Sequence, residues 1–343
     1  MVVADLEAAL RDYARLWGVE EWHVADLGPD RLSDMVSHGR RSEGEFVAAL
    51  GATTPPAGGD GRPVGLELVQ PRRGESPFQE FLWSREEGIA HLTVRAEGTP
   101  EEVAAHFAEQ GVGVAASWRQ DGRERVFWDT RADLGGHLLE VITGPAEPRG
   151  EVRRIDGAAL REGRDALPIG GIQHFGVVVD DVMATTERYH QLLGIETFDV
   201  KTWQDEPGRL DAPCYRDQRP VHHGYFTAQG AAGDVGFEII AMKYGDAHYN
   251  REFTDDRGPG IHHLFPFLTT DEPEWERVVA DMTALGAPLC MGSELRGGAA
   301  TYGYFDTWDA LRGFLVEGVV RRRPAEPRYM EPDWRIDYST TVA

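Results

Sequence analysis

The chain has 343 residues, of which 41% are hydrophobic, and this is enough for about two domains with buried cores. Its formal net charge of −23 argues against nucleic acid and membranes as partners, because both are bound through basic patches. Two cysteines, Cys214 and Cys290, exclude a disulfide framework and a thiolate metal cage. Since no apolar run approaches about 20 residues and no basic-then-apolar leader opens the chain, we expect a cytoplasmic protein.

The sequence contains an internal repeat. Residues 4–22 align without gaps on residues 180–198, and both segments read as an amphipathic helix that begins at an Asp cap and ends at a Gly. Three further segment pairs match in the same order: 64–69 with 235–240, 88–94 with 260–266, and 127–140 with 304–317. Four matches in one order indicate a tandem duplication.

Each copy divides again into two smaller units. In the second copy, hydrophobic alternation and turn residues predict a strand at His174, followed by a helix and three strands. The predicted bounds are 181–193 for that helix and 196–203, 222–229 and 234–241 for its strands. A strand from Gly260 then precedes a helix over 272–285 and strands over 287–292, 300–306 and 312–318. The chain is therefore predicted to be α+β, with four tandem βαβββ units paired into two curved-sheet domains.

The predicted domain organisation follows the repeat. Residues 1–145 form a first domain with a truncated first strand, and residues 170–320 form a second domain. Between them, residues 146–169 are rich in Pro, Gly and charge and are predicted to be a linker with a short helix. The tail, residues 321–343, carries aromatic side chains, so we expect it to pack on the body of the protein or on a second subunit.

Four ionisable residues of the second copy stand at matching places in its two units. His174 and His263 begin the first strand of each unit, while Glu238 and Glu317 lie in the last strand of each. All four lie in apolar segments, where an unpaired charge is costly. They can converge if the two units form one curved sheet with these strands at its centre. Two imidazoles and two carboxylates suit one divalent ion of zinc, cobalt, nickel, manganese or iron.

Each of these residues also has a simpler interpretation. A single histidine such as His174 is more often a hydrogen-bonded core residue than a ligand, and a strand carboxylate often pairs with arginine. His262 is an alternative to His263, but the repeat favours His263, because it follows Gly260 by three residues as His91 follows Gly88. The symmetric placement of all four favours a metal site.

The segment GLELVQPRRGESPFQEFLWSREEGIAHL (65–92), and its variant GFEIIAMKYGDAHYNREFTDDRGPGIHHL (236–264), resemble the vicinal-oxygen-chelate superfamily. This superfamily includes glyoxalase I, extradiol dioxygenases, methylmalonyl-CoA epimerase and bleomycin-resistance proteins, and the first segment is most similar to its epimerase-like branch. The resemblance covers nearly the whole chain except linker and tail. It implies glyoxalase-like domains and metal ligands at four positions: His174, Glu238, His263 and Glu317.

The first copy departs from this pattern. By the gapless alignment the counterpart of His174 would lie two residues before Met1, which leaves Glu67, His91 and Glu140. We therefore expect a structural first domain without a complete metal site.

With two His and two Glu ligands, the resemblance implies a metal-dependent epimerase or isomerase. Such an enzyme removes and returns a proton beside a ketone through a metal-stabilised enolate. The expected substrate has neighbouring oxygens and is either a polyhydroxylated cyclic ketone, such as 2-epi-5-epi-valiolone, or an acyl-CoA. Candidate proton acceptors are Glu238, Glu317 and His223, with Tyr225 and Tyr304 as further candidates.

Two alternative functions remain open at this point. An Fe(II) dioxygenase of the extradiol or hydroxyphenylpyruvate type would use His174, His263 and Glu317 only. A metal-free binding or resistance protein would hold a small molecule in the concave sheet. The oligomeric state is expected to be monomer or homodimer.

Overall fold

The computed structural model describes residues 1–54, 62–143, 150–161, 167 and 169–339. The chain divides into two compact units, Met1–Ile169 with Ala310–Gly313, and Gly170–Asp309 with Phe314–Ala343. Within the described ranges, no helix has the length and apolar character needed to cross a membrane.

Unit 1 contains five short to medium helices and ten strands among its described residues. The helices are α1 (Leu6–Trp17), α2 (Pro77–Arg85), α3 (Pro100–Glu109), α4 (Arg131–Leu134) and α5 (Gly157–Leu160). The strands are β1 (Glu21–Leu27), β2 (Leu32–Ser37), β3 (Arg40–Arg41), β4 (Glu45–Ala52), β5 (Gly65–Arg73), β6 (His91–Arg95), β7 (Val114–Gln120), β8 (Arg123–Trp128), β9 (Leu138–Ile142) and β10 (Arg153–Asp156).

The strands of unit 1 form two sheets, in the orders β10-β1-β4-β5 and β3-β2-β7-β8-β9-β6. Val2 stands between them, because it pairs in parallel with Val69 of β5 and antiparallel with Gly88, which precedes β6. The apolar faces of both sheets share one core, in which Phe46, Phe78 and other large side chains are fully buried.

Unit 2 has the same plan with additional elements. Its helices are α6 (Val182–Leu193), α7 (Asp255–Arg257), α8 (Glu272–Ala284) and α9 (Pro327–Met330), and a π-helical turn covers Asn250–Thr254. Its strands are β11 (His174–Val178), β12 (Thr197–Gln204), β13 (Cys214–Tyr215), β14 (Arg219–Pro220), β15 (Gly224–Ala232), β16 (Val235–Tyr244), β17 (Gly260–Thr269), β18 (Leu289–Leu295), β19 (Ala300–Phe305), β20 (Leu315–Arg321) and β21 (Trp334–Asp337).

All strands of unit 2 belong to one curved sheet, in the order β14-β13-β18-β19-β20-β17-β11-β16-β15-β12-β21. Strand β11 is at its centre, parallel to β16 and antiparallel to β17. Val2 takes the corresponding position in unit 1. The two halves are therefore connected through Val2 in unit 1 and through β11 in unit 2. The predicted α+β class and the paired βαβββ units with curved sheets are confirmed.

The repeated helices end as the sequence predicts. The Asp5 side chain accepts a hydrogen bond from the Ala8 amide at the start of α1, and Asp181 does the same at the start of α6. Gly18 and Gly194 end these helices in the left-handed conformation, with φ of 65° and 70°. A residue with a Cβ is disfavoured there, so the glycine fixes the end of each helix.

The segments expected to be linker and tail both contribute an edge strand. Strand β10, within residues 146–169, pairs antiparallel with β1, and β21, within residues 321–343, pairs antiparallel with β12. The two strands share the sequence Arg-Ile-Asp, at 154–156 and 335–337, so the duplication extends through them. Residues 144–149, 162–166, 168 and 340–343 lie outside the described part of these segments.

Unit 1 buries a histidine where unit 2 has an apolar ring. His137 is 1% exposed, and neither of its ring nitrogens has a hydrogen-bond partner among the described residues. The repeat places it opposite Phe314 of unit 2. Burial lowers the pKa of His137 to about 4, so the folded unit keeps this ring neutral in mildly acidic solution.

We expect His137→Phe to stabilise the protein more at acidic than at neutral pH. The unfolded chain binds a proton near pH 6.5 and the folded one only near pH 4, so the wild type loses stability between these values as the pH falls. The stability difference between variant and wild type should be about 2 kcal/mol larger at pH 5 than at pH 8. Urea unfolding at both pH values measures it, and equal differences would contradict the prediction.

Candidate metal centre

Four neighbouring strands at the centre of the unit 2 sheet each carry one of the predicted ligands. In the order β20-β17-β11-β16 these are Glu317, His263, His174 and Glu238. Glu238 and His263 both lie opposite Gly176 of β11, one in each neighbouring strand. The pairing register therefore brings together residues that are far apart in the sequence.

Gly176 makes room for the His263 ring. A Cβ at this position would lie 1.9 Å from the Cε1 atom of His263, which is closer than any real contact. A glycine is thus required in β11 for the imidazole to lie across the strand and face the other three side chains.

The ligand atoms converge closely, all within 4.8 Å of one another. The Nε2 atom of His174 lies 3.3 Å from that of His263 and 3.2 Å from Glu317 Oε2. The Oε2 atom of Glu238 lies 3.6 Å from each of the two Nε2 atoms. His263 is fully buried, and both carboxylate residues are 7% exposed.

The donor set fits a divalent cation. Glu317 Oε2 is buried and accepts no hydrogen bond from the described residues, although it faces two imidazoles. Burial lowers the pKa of His263, but the adjacent Glu238 and Glu317 carboxylates outweigh this effect and raise it to about 9. Burial raises the pKa of Glu317, but the two imidazoles outweigh this effect and lower the pKa to about 2. Two buried carboxylates thus share a site that demands positive charge, and two nitrogens with two oxygens suit the metals considered above.

A polar residue holds one carboxylate in place. The Nε2 atom of Gln229, on β15, donates a hydrogen bond of 2.8 Å to Glu238 Oε1. The second oxygen of Glu238 is left facing the imidazoles, as expected for a ligand supported by an outer hydrogen bond.

Behind His263 lies a chain of buried imidazoles. His263 Nδ1 is 3.1 Å from His262 Nδ1, and His262 Nε2 is 3.0 Å from His248 Nδ1. The far nitrogen of His248 lies 3.6 Å from Glu252 Oε2, on the π-helical turn. Burial lowers the pKa of His248 to about 3 and that of His262 well below its usual value, so both rings are neutral.

This chain of neutral rings sets the tautomer of His263. If a metal ion takes the place of the proton on His263 Nε2, each of the three rings would carry one proton, and each N–H would donate in the direction of the Glu252 carboxylate. The Nδ1 atom of His263 then donates to His262, and its Nε2 lone pair faces the cluster. His262, the alternative ligand in the sequence, therefore lies behind the cluster rather than in it. The sequence repeat does not point to His248, which lies just before the π-helical turn in the segment that corresponds to α2 of unit 1.

The cluster opens into a cavity of about 310 Å³. Aromatic side chains form much of its wall, and the Tyr304 ring centroid lies 4.7 Å from that of His263. The described lining includes Tyr225 and Tyr304 but not His223. His223 precedes β15 rather than lying in it, is fully buried, and has its Nδ1 3.2 Å from the Asp246 carbonyl oxygen. A catalytic role for His223 stays a prediction.

The matching position in unit 1 contains an arginine. Glu67, His91 and Glu140 come together as their counterparts do in unit 2. The Arg125 guanidinium lies between the two carboxylates, with Nη1 and Nη2 each 2.9 Å from Glu67 and with Nε 2.5 Å from Glu140. Burial lowers the pKa of Arg125, but the two carboxylates outweigh burial and raise it. A built-in cation thus neutralises the acidic pair of unit 1.

Arg125 was not singled out from the sequence, although the repeat contains a signal for it. The gapless alignment of residues 127–140 with 304–317, extended by two residues, places Arg125 opposite Tyr302. Because side chains two residues apart in a strand share a face, Arg125 lies on the face of Phe127, next to His91.

Solved structures resemble the chain over nearly its whole length. A mutant of 4-hydroxymandelate synthase from Streptomyces coelicolor is 13% identical, with a TM-score of 0.53 over 94% of this chain and 91% of that chain. The chain has the vicinal-oxygen-chelate fold. At this identity the likeness concerns the fold alone, which agrees with the curved paired sheets described above.

Two further solved structures are similar at a lower level. One is a xylose isomerase-like TIM barrel/4-hydroxyphenylpyruvate dioxygenase fusion protein, 10% identical, with a TM-score of 0.46 over 94% of this chain and 48% of that chain. The other is methylmalonyl-CoA epimerase from Mycobacterium tuberculosis, 22% identical, with a TM-score of 0.29 over 47% of this chain and 92% of that chain. No protein-family model and no curated protein sequence matches the chain.

We expect one divalent ion per chain. His174→Ala should abolish binding, because it removes one of the four converging ligands, whereas His91→Ala should leave the stoichiometry at one. Calorimetric titration of the chelator-treated protein with Zn²⁺ or Mn²⁺ measures this. The two variants form a matched pair, since His91 belongs to the corresponding cluster of unit 1. Two ions per chain, or loss of binding in His91→Ala, would contradict the assignment.

His262→Phe should weaken metal binding by roughly 10- to 100-fold, as expected when an outer partner of a histidine ligand is removed. The phenyl ring cannot accept the proton of His263 Nδ1, so the tautomer is no longer fixed. A competition titration against a chelator measures the affinity. The control is His222→Phe, since His222 is exposed and contacts Asp205 rather than another histidine. Equal affinities for His262→Phe and wild type would rule out the orienting role.

Proposed function

We propose that this protein is a divalent-metal-dependent isomerase that epimerises a small ketone, removing and returning a proton on the carbon beside the carbonyl group. The observation that carries this proposal is the convergence of four candidate ligands, including two carboxylates, at the end of a cavity. An ion held by these four side chains would leave room for further oxygen ligands, which suits two adjacent oxygens of one substrate. When bound, the ion stabilises the negative charge that develops on these oxygens.

The proton must be accepted by a side chain on the cavity wall. Burial raises the pKa of Tyr225, Tyr302 and Tyr304, so these phenols keep their protons near neutral pH and serve as hydrogen-bond donors. Among the described lining residues, the carboxylates are Glu238 and Glu317. One of these two is the proposed base. Glu238 is held by Gln229 on one oxygen only, which leaves its other oxygen facing the site.

The aromatic side chains of the cavity wall are also proposed to exclude water. Trp203, Phe265 and the tyrosines exclude water from the ligand end of the cavity, which strengthens the interactions of developing charge with nearby groups. The hydroxyls of Tyr225 and Tyr302 lie 3.2 Å apart, with Tyr225 donating. These groups offer polar contacts to a hydroxylated substrate, and this supports a polyol ketone as the substrate.

A second candidate function is an Fe(II) dioxygenase. His174, His263 and Glu317 alone would form the two-histidine, one-carboxylate set of such enzymes. This candidate requires Glu238 to leave the ion, because oxygen and substrate together need the position that a fourth protein ligand takes. Glu238 Oε2 lies 3.6 Å from the Nε2 atoms of both histidines, which is close enough for all four side chains to share one ion. This geometry supports the isomerase.

The test is hydrogen exchange in deuterated water with two probe substrates, the ketone 2-epi-5-epi-valiolone and the thioester methylmalonyl-CoA. We expect deuterium at the carbon beside the carbonyl of one of them, dependent on added metal and lost in Glu317→Gln. Mass spectrometry and proton NMR detect the label. Substrate-dependent oxygen uptake without exchange would favour the dioxygenase, and full ligand affinity in the metal-free protein would favour a binding protein.

A further inference from the structure

Two arginines line the same cavity as the metal ligands. Arg296 follows the end of β18, and Arg321 ends β20. No ion pair joins either guanidinium to an acidic side chain within the described part of the chain, and the buried Nε atom of Arg296 has no hydrogen-bond partner there. Arg296 is half-buried and Arg321 is exposed, so an anion that enters the cavity from solvent can reach both positive charges.

The strand geometry fixes how far these arginines lie from the ligands. On β20, Glu317, Val319 and Arg321 alternate onto one face, and all three line the cavity. Four residues of strand separate Glu317 from Arg321, which is about 13 Å between Cα atoms. Opposite them on β19, Tyr304 pairs with Glu317 and Ala300 pairs with Arg321. The cavity therefore has a metal end and an arginine end.

The conformation of Arg296 is held by its surroundings. It has a φ of +60°, which is uncommon for a residue with a side chain, and it begins a turn of three consecutive left-handed residues. The Asp211 carboxylate accepts hydrogen bonds from the amides of Gly297 and Gly298 and so fixes this turn. The guanidinium carbon then lies 5.8 Å from the centre of the Trp203 ring, at the cavity wall.

Arg296 and Arg321 also act on each other electrostatically. Burial lowers the pKa of Arg296, and the charge of Arg321 lowers it further. Both remain cationic, because an arginine stays protonated in proteins. The arginine end thus holds two positive charges that form no ion pair with the described acidic side chains, and a group with about two negative charges balances them.

We propose that Arg296 and Arg321 bind a phosphate monoester group of the substrate while the substrate's vicinal oxygens lie at the metal ligands. A phosphate carries a charge of −1.5 to −2 at neutral pH and offers oxygens to both guanidinium forks. A cavity of about 310 Å³ fits a small phosphorylated ketone. This inference rests on the proposed function only in naming the bound phosphate as part of the substrate.

The experiment is a calorimetric titration of the full-length protein with inorganic phosphate at low salt, after chelation and again after loading with metal. The chelated wild type should bind phosphate, and Arg296→Gln and Arg321→Gln should each weaken binding at least tenfold. Arg322→Gln is the matched control, since the neighbouring Arg322 donates to Thr301 and Glu272 instead. Its affinity should equal that of the wild type.

Several results would overturn the inference. These are phosphate affinity that is unchanged in both arginine variants, affinity that falls equally in Arg322→Gln, and tighter binding of acetate than of phosphate. Because the chelated protein is measured, a chain that binds no metal can still bind phosphate through the arginines. Failure of the metal site and failure of the arginine site are therefore distinguishable. Circular dichroism of each variant checks that the fold is retained.

Discussion

Two carboxylates buried next to each other need a cation, and both halves of this protein are built around that need. In unit 2 the acidic pair is Glu238 and Glu317, and in unit 1 it is Glu67 and Glu140. An isolated buried carboxylate costs several kcal/mol, so two of them in contact would unfold either unit unless the charge is met. In unit 1 the Arg125 guanidinium neutralises the two carboxylates. In unit 2 the two carboxylates face two imidazoles and a cavity. The same sheet thus supports a closed ion pair in one copy and a metal-ligand set in the other.

The centre of the sheet decides which residues take part. The two βαβββ halves are connected at Val2 in unit 1 and at β11 in unit 2, and side chains from the neighbouring strands face one another there. In β11, Gly176 leaves the space into which His263 extends. The outer imidazoles His262 and His248 then orient that ring from behind. Chemistry in this fold therefore depends on strand register and on one missing Cβ as much as on the ligands themselves.

Much of this arrangement follows from the sequence, because the duplication allows each residue to be compared with its counterpart. The repeat predicted the fold class, the capped helices and the four candidate ligands whose side chains converge in unit 2. It did not reveal that Arg125 lies between the two carboxylates of unit 1, since the significance of an arginine opposite Tyr302 appears only when their shared strand face is known. His248 could not be found either, because the segment around it differs in sequence and in helix type from α2, its counterpart in unit 1. His223 was predicted within a strand that in fact begins at Gly224.

Strands β10 and β21 lie at sheet edges, beside β1 and β12. An uncovered edge presents unpaired amides and carbonyls, on which another chain can add a strand. Both edge strands have only four residues and carry charged side chains, and these features protect each copy against the addition of a strand from another chain. The duplication passed on this protection together with the fold. Shortening the chain before residue 334 would make the eight-residue strand β12 the edge of the unit 2 sheet, while the four strands of the candidate metal centre stay in the chain.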